Sequence, residues 1–235
     1  MKPLFRWTIG GNPHVYGLHA LEKSIISVLK LYKEEFDYVL CYNGLLDEQI
    51  DYIKHLNIDI FEQVHCKEME YTPLGNAYKL YPPRLREQTN ELFMDNDIIL
   101  HSRSNIVDEF LTSSNMTFIT EGYGNYGKYK NNLTKAVVHA NSGFFGIPPY
   151  FPFAQMIKNY QRDDTNRQWE DRFDEQGIVA SCLLNHSKNK VIPFSDIKIC
   201  ETNYSPTAIG SHFVRINAGN IDPWNQYLNE FTYFL

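Results

Sequence analysis

The chain has no run of apolar residues approaching the ~20 that a membrane-spanning helix needs. Met1 to Gly10 also lacks the apolar core of a secretion signal, so a cytoplasmic location is expected. Cysteine is scarce. Cys41, Cys66, Cys182 and Cys200 form no C-x-x-C pair, and a chain of this length does not need disulfide staples. Reduced thiols are the expectation, with Cys41 and Cys182 inside buried apolar runs. Positive charge is in short supply too: 22 Lys and Arg stand against 28 Asp and Glu, a net charge of -6. That disfavours a general nucleic-acid binder, and any anionic small ligand must be met by a local positive site.

Familiar nucleotide machinery is absent as well. There is no G-x-x-x-x-G-K-[ST] and no G-x-G-x-x-G after a strand, which removes P-loop hydrolysis and Rossmann-type hydride transfer. No G-x-S-x-G elbow or H-E-x-x-H helix occurs. No repeat or low-complexity linker divides the chain, so residues 1–235 are expected to form a single domain.

What is present is an alternation of β-rich and helix-periodic segments. Leu4 to Ile9 reads as a strand ended by the turn Gly10-Gly11-Asn12-Pro13. Leu18, Leu21, Ile25, Val28, Leu29 and Tyr32 recur at helical spacing. Phe36 to Cys41 is a second strand, Asp47 caps a helix carrying Ile50, Ile53 and Leu56, and Ile58 to Phe61 is a third strand. Apolar strands alternating with helices predict an α/β fold with a mostly parallel central sheet covered on both faces. In the second half, short strands are expected at Met116 to Thr120, Gly143 to Ile147 and His212 to Ile216. The strongest helix is Asp174 to Asn185, with Asp174 as N-cap. Glu121 to Lys130 is rich in glycine and tyrosine and reads as a loop, either ordinary surface or a substrate lid.

The most informative element is Asp95-Asn96-Asp97, at the end of the apolar strand Leu92 to Met94. In open α/β sheets ligands bind at the carboxyl ends of strands, and two carboxylates there can converge on one hard cation. His212 becomes a third ligand if the fold brings it beside Asp97. Imidazole suits Mn or Zn better than Mg. Lys79, Arg84 and Arg86 precede the strand, either as a solvated face or as phosphate-reaching cations. Asp174-Glu175-Gln176 is either a capped helix start or a source of a carboxylate for a sugar hydroxyl. Asn141-Ser142-Gly143 is a turn, or an amide and backbone that touch a polar ligand where glycine allows close approach.

In this order the motifs resemble the GT-A-fold glycosyltransferases, nucleotide-diphospho-sugar transferases, and most of all the group containing glycogenin and the lipopolysaccharide galactosyltransferases. The matching residues are Arg84-Leu85, Phe93-Met94-Asp95-Asn96-Asp97, Asn141-Ser142-Gly143, Asp174-Glu175-Gln176, and His212-Phe213-Val214-Arg215 leading to Asp222-Pro223-Trp224. Two positions depart from that pattern: Arg215 stands where the group has glycine, and Asp222 replaces the lysine that meets the diphosphate, which indicates a distinct subfamily.

The resemblance implies a metal-dependent transferase. Asp95, Asp97 and His212 would hold Mn2+ or Mg2+, and Asp95 would also contact the ribose. Thr8, Gly10 and Tyr16 would face the nucleotide, within the loop Thr8 to Gly17. Lys79, Arg84, Asn96, Gly143 and Gln176 would bind the rest of the donor. Asp174, Glu175 and Asn141 would serve catalysis, as base in an inverting reaction or as donor-face support in a retaining one. The implied partners are a nucleotide-diphosphate sugar and a glycan, lipid-linked or protein acceptor, with neither nucleic acid nor a transmembrane segment. Two other classes fit parts of the pattern: a non-catalytic nucleotide-sugar or glycan binder, and a sugar nucleotidyltransferase. The latter relies on a basic segment after the first strand, and Gly10-Gly11-Asn12-Pro13-His14 contains no Arg or Lys.

Overall fold

The structure is a computed structural model that describes residues 1–11, 13–63, 75–133, 138–162, 169–186, 191–204, 209–216 and 219–231. Cys66 and Asn12 lie outside this set. In chain order the elements are β1 (Leu4–Gly10), α1 (Val15–Tyr32), β2 (Asp37–Asn43), α2 (Asp47–Lys54), β3 (Asp59–Glu62), β4 (Glu91–Asp95) and β5 (Ile98–Leu100). They are followed by α3 (Asn105–Thr112), β6 (Met116–Thr120), β7 (Ala140–Ile147), α4 (Phe153–Arg162) and α5 (Asp174–Leu184). The last are β8 (Val191–Phe194), β9 (Ile197–Ile199), β10 (Gly210–His212) and α6 (Asp222–Phe231). Single 3-10 turns cover Gly75–Leu80 and Gly127–Leu133.

Seven strands form the central sheet in the order β3-β2-β1-β4-β7-β6-β8, flanked by helices. The β3-β2-β1-β4 half is parallel throughout, as the alternating sequence predicts. β7 runs antiparallel to both β4 and β6, so the sheet is mixed where it passes the midpoint. The carboxyl ends of β1, β4 and β6 and the start of β7 therefore face the same side.

Side chains alternate across each strand, and this divides the core in two. Leu92, Met94 and Phe144 join Phe5, Trp7, Leu21, Ile25 and Val28 on the α1 face. Phe93 and Phe145 stack at 4.5 Å on the other face and pack with Ile178, Val179 and Leu183 of α5. α5 is buried along nearly its whole length, from Asp174 to Leu183. Gly177 makes this possible, since a Cβ there would stand 2.2 Å from the Tyr126 carbonyl oxygen. In the middle of the sheet, fully buried Arg6 pairs with Glu91 at 3.2 Å and lies over the Phe93 ring. Glu91 also accepts from the backbone N–H groups of Leu85 and Arg86, fixing the chain just ahead of β4.

A second sheet of three strands, β5-β10-β9, lies beside the first. β10 pairs antiparallel with β5, setting His212 opposite Ile98, and the Phe213 N–H donates to the Asp97 carbonyl at 2.9 Å.

Several local expectations are corrected. The strand expected over His212 to Ile216 stops at His212, because the chain turns at Arg215, whose φ is 66°. β7 begins earlier than expected, at Ala140, and the second half of the Glu121 to Lys130 loop folds into the 3-10 turn. The caps also differ. Phe173 is the N-cap of α5 and Leu46 that of α2, so Asp174 and Asp47 are first-turn residues, where their charge favours the helix dipole.

Candidate active site

β4 is apolar because it is buried on both faces, and its last residue, Asp95, is the first to emerge from the sheet. A two-residue turn, Asn96-Asp97, then leads into β5. The two carboxylates thus open into a cavity of about 720 Å3 at the carboxyl ends of the strands. His212 arrives there through the β5–β10 pairing. Its Nε2 is 3.2 Å from Asp97 Oδ1 and 3.9 Å from Asp95 Oδ2.

One donor atom from each of Asp95, Asp97 and His212 lies within 4.8 Å of the others, a spacing that could hold a metal ion. The surroundings fit a cation. Asp97 Oδ1 is buried without a well-formed hydrogen bond, and so is His212 Nδ1. Gly143 forms the floor: a Cβ there would come within 2.7 Å of both His212 Cε1 and Asn141 Oδ1, and 3.2 Å from Asp95 Oδ2. Two carboxylates and an imidazole are donors suited to a divalent first-row metal.

Electrostatics point the same way. Among the described residues the cavity is lined by the carboxylates of Asp95, Asp97, Glu121, Glu175 and Glu201, against Lys79, Arg172 and Arg215 as fixed cations. Burial pushes the Asp95 carboxyl up, and the Lys79 charge offsets this only in part. Burial lowers the His212 imidazole, but the Asp97 and Asp95 carboxylates outweigh it and hold the ring above its ordinary value.

Lys79 ties the two sides of the cavity together. Its Nζ donates to Asp95 Oδ1 at 2.5 Å and to the Ser142 carbonyl at 3.2 Å, and it lies 3.4 Å from Glu175 Oε1. Burial would lower the ammonium, but Asp95 and Glu175 together outweigh it and hold Lys79 above the usual lysine range. Burial lifts Glu175 to about 7 against the pull of Lys79.

On the α5 side an amide network is closed. Glu121 accepts from Asn141 Nδ2 at 3.1 Å and from Gln176 Nε2 at 2.6 Å. Asn141 Oδ1 accepts from the Gly143 N–H, and Gln176 Oε1 from the Ser142 N–H. Each amide is thereby locked in one orientation.

Of the residues named from sequence, Thr8, Gly10, Lys79, Asp95, Asn96, Asp97, Asn141, Glu175, Gln176 and His212 line the cavity, and Gly143 underlies it. Three others do not line it. The Arg84 guanidinium donates to the carbonyls of Arg86, Thr89, Pro148 and Phe151, and so clamps the approach to β4. Tyr16 stacks on His14 and packs against the cluster around Phe213 and Trp224. The Asp174 carboxylate accepts from the backbone N–H groups of Lys128, Glu170 and Asp171, a knot at the start of α5.

Sequence reasoning missed Glu121, Arg172 and Glu201. Glu121 follows the apolar strand β6 as Asp95 follows β4, so the same strand-end logic reaches it.

The seven-stranded mixed sheet flanked by helices is that of the GT-A fold, and solved glycosyltransferases share this fold. The galactosyltransferase LgtC, in complex with donor and acceptor sugar analogues, matches with a TM-score of 0.60 at 12% identity, over 91% of this chain and 87% of that one. The apo glycosyltransferase GlyE of Streptococcus pneumoniae TIGR4 matches at 0.57 and 12% identity, over 99% of this chain and 64% of its own. Mouse xyloside xylosyltransferase 1 in its apo form matches at 0.53 and 10% identity, over 92% and 99%. No protein-family profile matches the sequence, and no curated protein matches it either.

Proposed function

We propose that residues 1–235 act as one catalytic unit that transfers a sugar from a nucleotide-diphosphate sugar to an acceptor hydroxyl, with Mn2+ or Mg2+ held by Asp95, Asp97 and His212. The observation that carries this is the convergence of those three donors at the end of β4 within a GT-A fold. When bound, the ion supplies charge stabilisation for the leaving diphosphate.

The chain's own groups do the rest. Thr8, Gly10 and His14, at the carboxyl end of β1, bound the nucleotide side of the cavity. Lys79 and Glu175 fix the rotamer of Asp95. Glu121 holds the amides of Asn141 and Gln176 toward the sugar, so those dipoles need no reorientation during reaction. Asp174 supports this reading as a structural residue, since its carboxylate is already taken by backbone donors. No helix among the described residues is long and apolar enough to cross a membrane, and the Cys41 and Cys182 thiols are buried. Both facts support the proposal that the enzyme works in the cytoplasm.

A thermal-shift series of nucleotide sugars with and without Mn2+ tests the reading. One donor should raise the melting temperature only when the metal is present, because a ligand that binds only the native state stabilises it. Release of diphosphate from sugar phosphate plus nucleoside triphosphate, without any nucleotide-sugar shift, would instead favour a nucleotidyltransferase.

A further inference from the structure

A diphosphate held near Asp95 and Asp97 needs a cation besides the metal, and few groups are free to serve. Lys79 donates to Asp95 and Ser142 and pairs with the Glu175 carboxylate at 3.4 Å, so its charge is already shared by two acids. Arg84 is bound by backbone carbonyls outside the cavity. His14 Nδ1 accepts from the Tyr16 N–H as the cap of α1. Asp222, where the resemblance leads one to expect a lysine, is acidic and begins α6. Two arginines remain on the cavity lining, Arg172 and Arg215. The Arg172 guanidinium stacks on Phe173 at 4.6 Å, on the α5 side.

Arg215 differs from every other cation in the cavity. It follows metal-ligand candidate His212 on the same turn, which is anchored by the Phe213 N–H to the Asp97 carbonyl and by the Asn220 N–H to the Arg215 carbonyl. Among the described residues it forms one ion pair, with Glu201 at 3.6 Å, and both side chains are about half exposed (49% and 48%). A pair of that kind holds its guanidinium weakly. Its φ of 66° is a conformation that side chains other than glycine rarely adopt, and strain of this sort persists mainly where a site needs it.

We propose that Arg215 is the residue that binds the donor's diphosphate, doing from the His212 turn what a lysine at position 222 would have done. This rests on the sugar-transfer reading. Guanidinium geometry allows two parallel N–H donors to phosphate oxygens, so the contact is directional as well as charged. On binding, Arg215 would exchange Glu201 for phosphate.

The test is calorimetry on the full chain with Mn2+ and, in turn, inorganic pyrophosphate, UDP, GDP, ADP and TDP. Arg215→Ala should weaken the tightest of these by roughly 10- to 100-fold, the scale of a hydrogen bond to a charged group. It should leave Mn2+ binding alone unchanged. Arg215→Lys should recover part of the loss, because an ammonium supplies charge without the fork. Arg215→Gly should lose as much affinity as the alanine variant while melting at or above the wild-type temperature, since glycine adopts φ 66° freely. That variant separates binding from folding. Unchanged affinity in Arg215→Ala and Arg215→Gly, or a loss seen only in Arg172→Ala, overturns the assignment while leaving sugar transfer standing. If the wild-type chain binds none of the diphosphates with Mn2+, the sugar-transfer reading itself fails, and this assignment with it.

Discussion

The two sides of the cavity are built on opposite principles. On the α5 side, Glu121, Asn141, Gln176 and Ser142 are joined in a continuous hydrogen-bond network, with Ser142 Oγ donating to Glu175. On the β10 side, Asp97 Oδ1 has His212 Nε2 at 3.2 Å but no well-formed hydrogen bond, His212 Nδ1 is buried without one, and carboxylates outnumber cations on the cavity lining. The closed side is a rigid surface that can orient a substrate. The open side presents three donor groups at a spacing that could hold a metal ion. Lys79 sits between them and contacts both, pairing with Asp95 and with Glu175.

The sharpest way to break this contrast is Asp97→Ala. Metal-dependent donor hydrolysis should fall by roughly 100-fold or more, the scale of losing one preorganised electrostatic contact. Without metal the variant should melt no lower than wild type, because a charge in a crowded acidic cluster has been removed. Retained hydrolysis, or full wild-type activity in excess chelator, would end the metal reading.

Lys79→Met comes next. It leaves Asp95 and Glu175 without their shared counterion and should cost roughly 3 kcal/mol, the range for stranding one partner of a buried ion pair. Added Mn2+ should restore part of the stability. If chemical denaturation finds no loss, the bridge between the two sides is not structural.

Gly143→Ala drives a methyl group against both sides at once, toward His212 and Asn141. It should cost about 1–3 kcal/mol, as overpacking does, and weaken Mn2+ binding roughly 10-fold, as displaced supporting groups do. Normal Mn2+ affinity by titration would show that the floor can relax.

The smallest effect is on pH dependence. Glu175 titrates near 7 in the fold because burial favours its neutral form, whereas the unfolded chain has the ordinary value of 4.5. Between those values the native state holds the extra proton, so stability falls as pH rises through that window. Glu175→Gln should flatten the slope of melting temperature against pH there. An unaltered slope would place the titration elsewhere.

How much of this was legible in the sequence differs between the halves of the chain. β1-α1-β2 could be read from periodicity, because β1 and β2 are largely buried apolar parallel strands and the helix between them is amphipathic, whereas β3 is an exposed edge strand that the expectation of a sheet covered on both faces does not fit. Asp95 and Asp97 were legible for the same reason, as carboxylates that interrupt an apolar run. Arg84 and Asp174 were not. A guanidinium in a cage of carbonyls and a carboxylate on backbone amides look, in sequence, like residues waiting for a ligand. Only the chain's return through Pro148 and Phe151, and through Lys128, reveals that they are already occupied.

The sequence by itself determined the α/β class, the parallel half of the sheet and the acidic strand end, because local burial and period control residue type there. Tertiary structure alone decided which groups line the cavity. The β5–β10 register brings His212 to Asp97, the antiparallel insertion of β7 brings Asn141 and Glu121 together, and the left-handed turn at position 215 puts an arginine on the cavity lining. These are contacts between segments far apart in the chain, fixed by backbone pairing rather than by local composition. The scarcity of cysteine and positive charge constrained the answer from the start. The fold then showed where the few available cations stand, and that Lys79 is already spoken for.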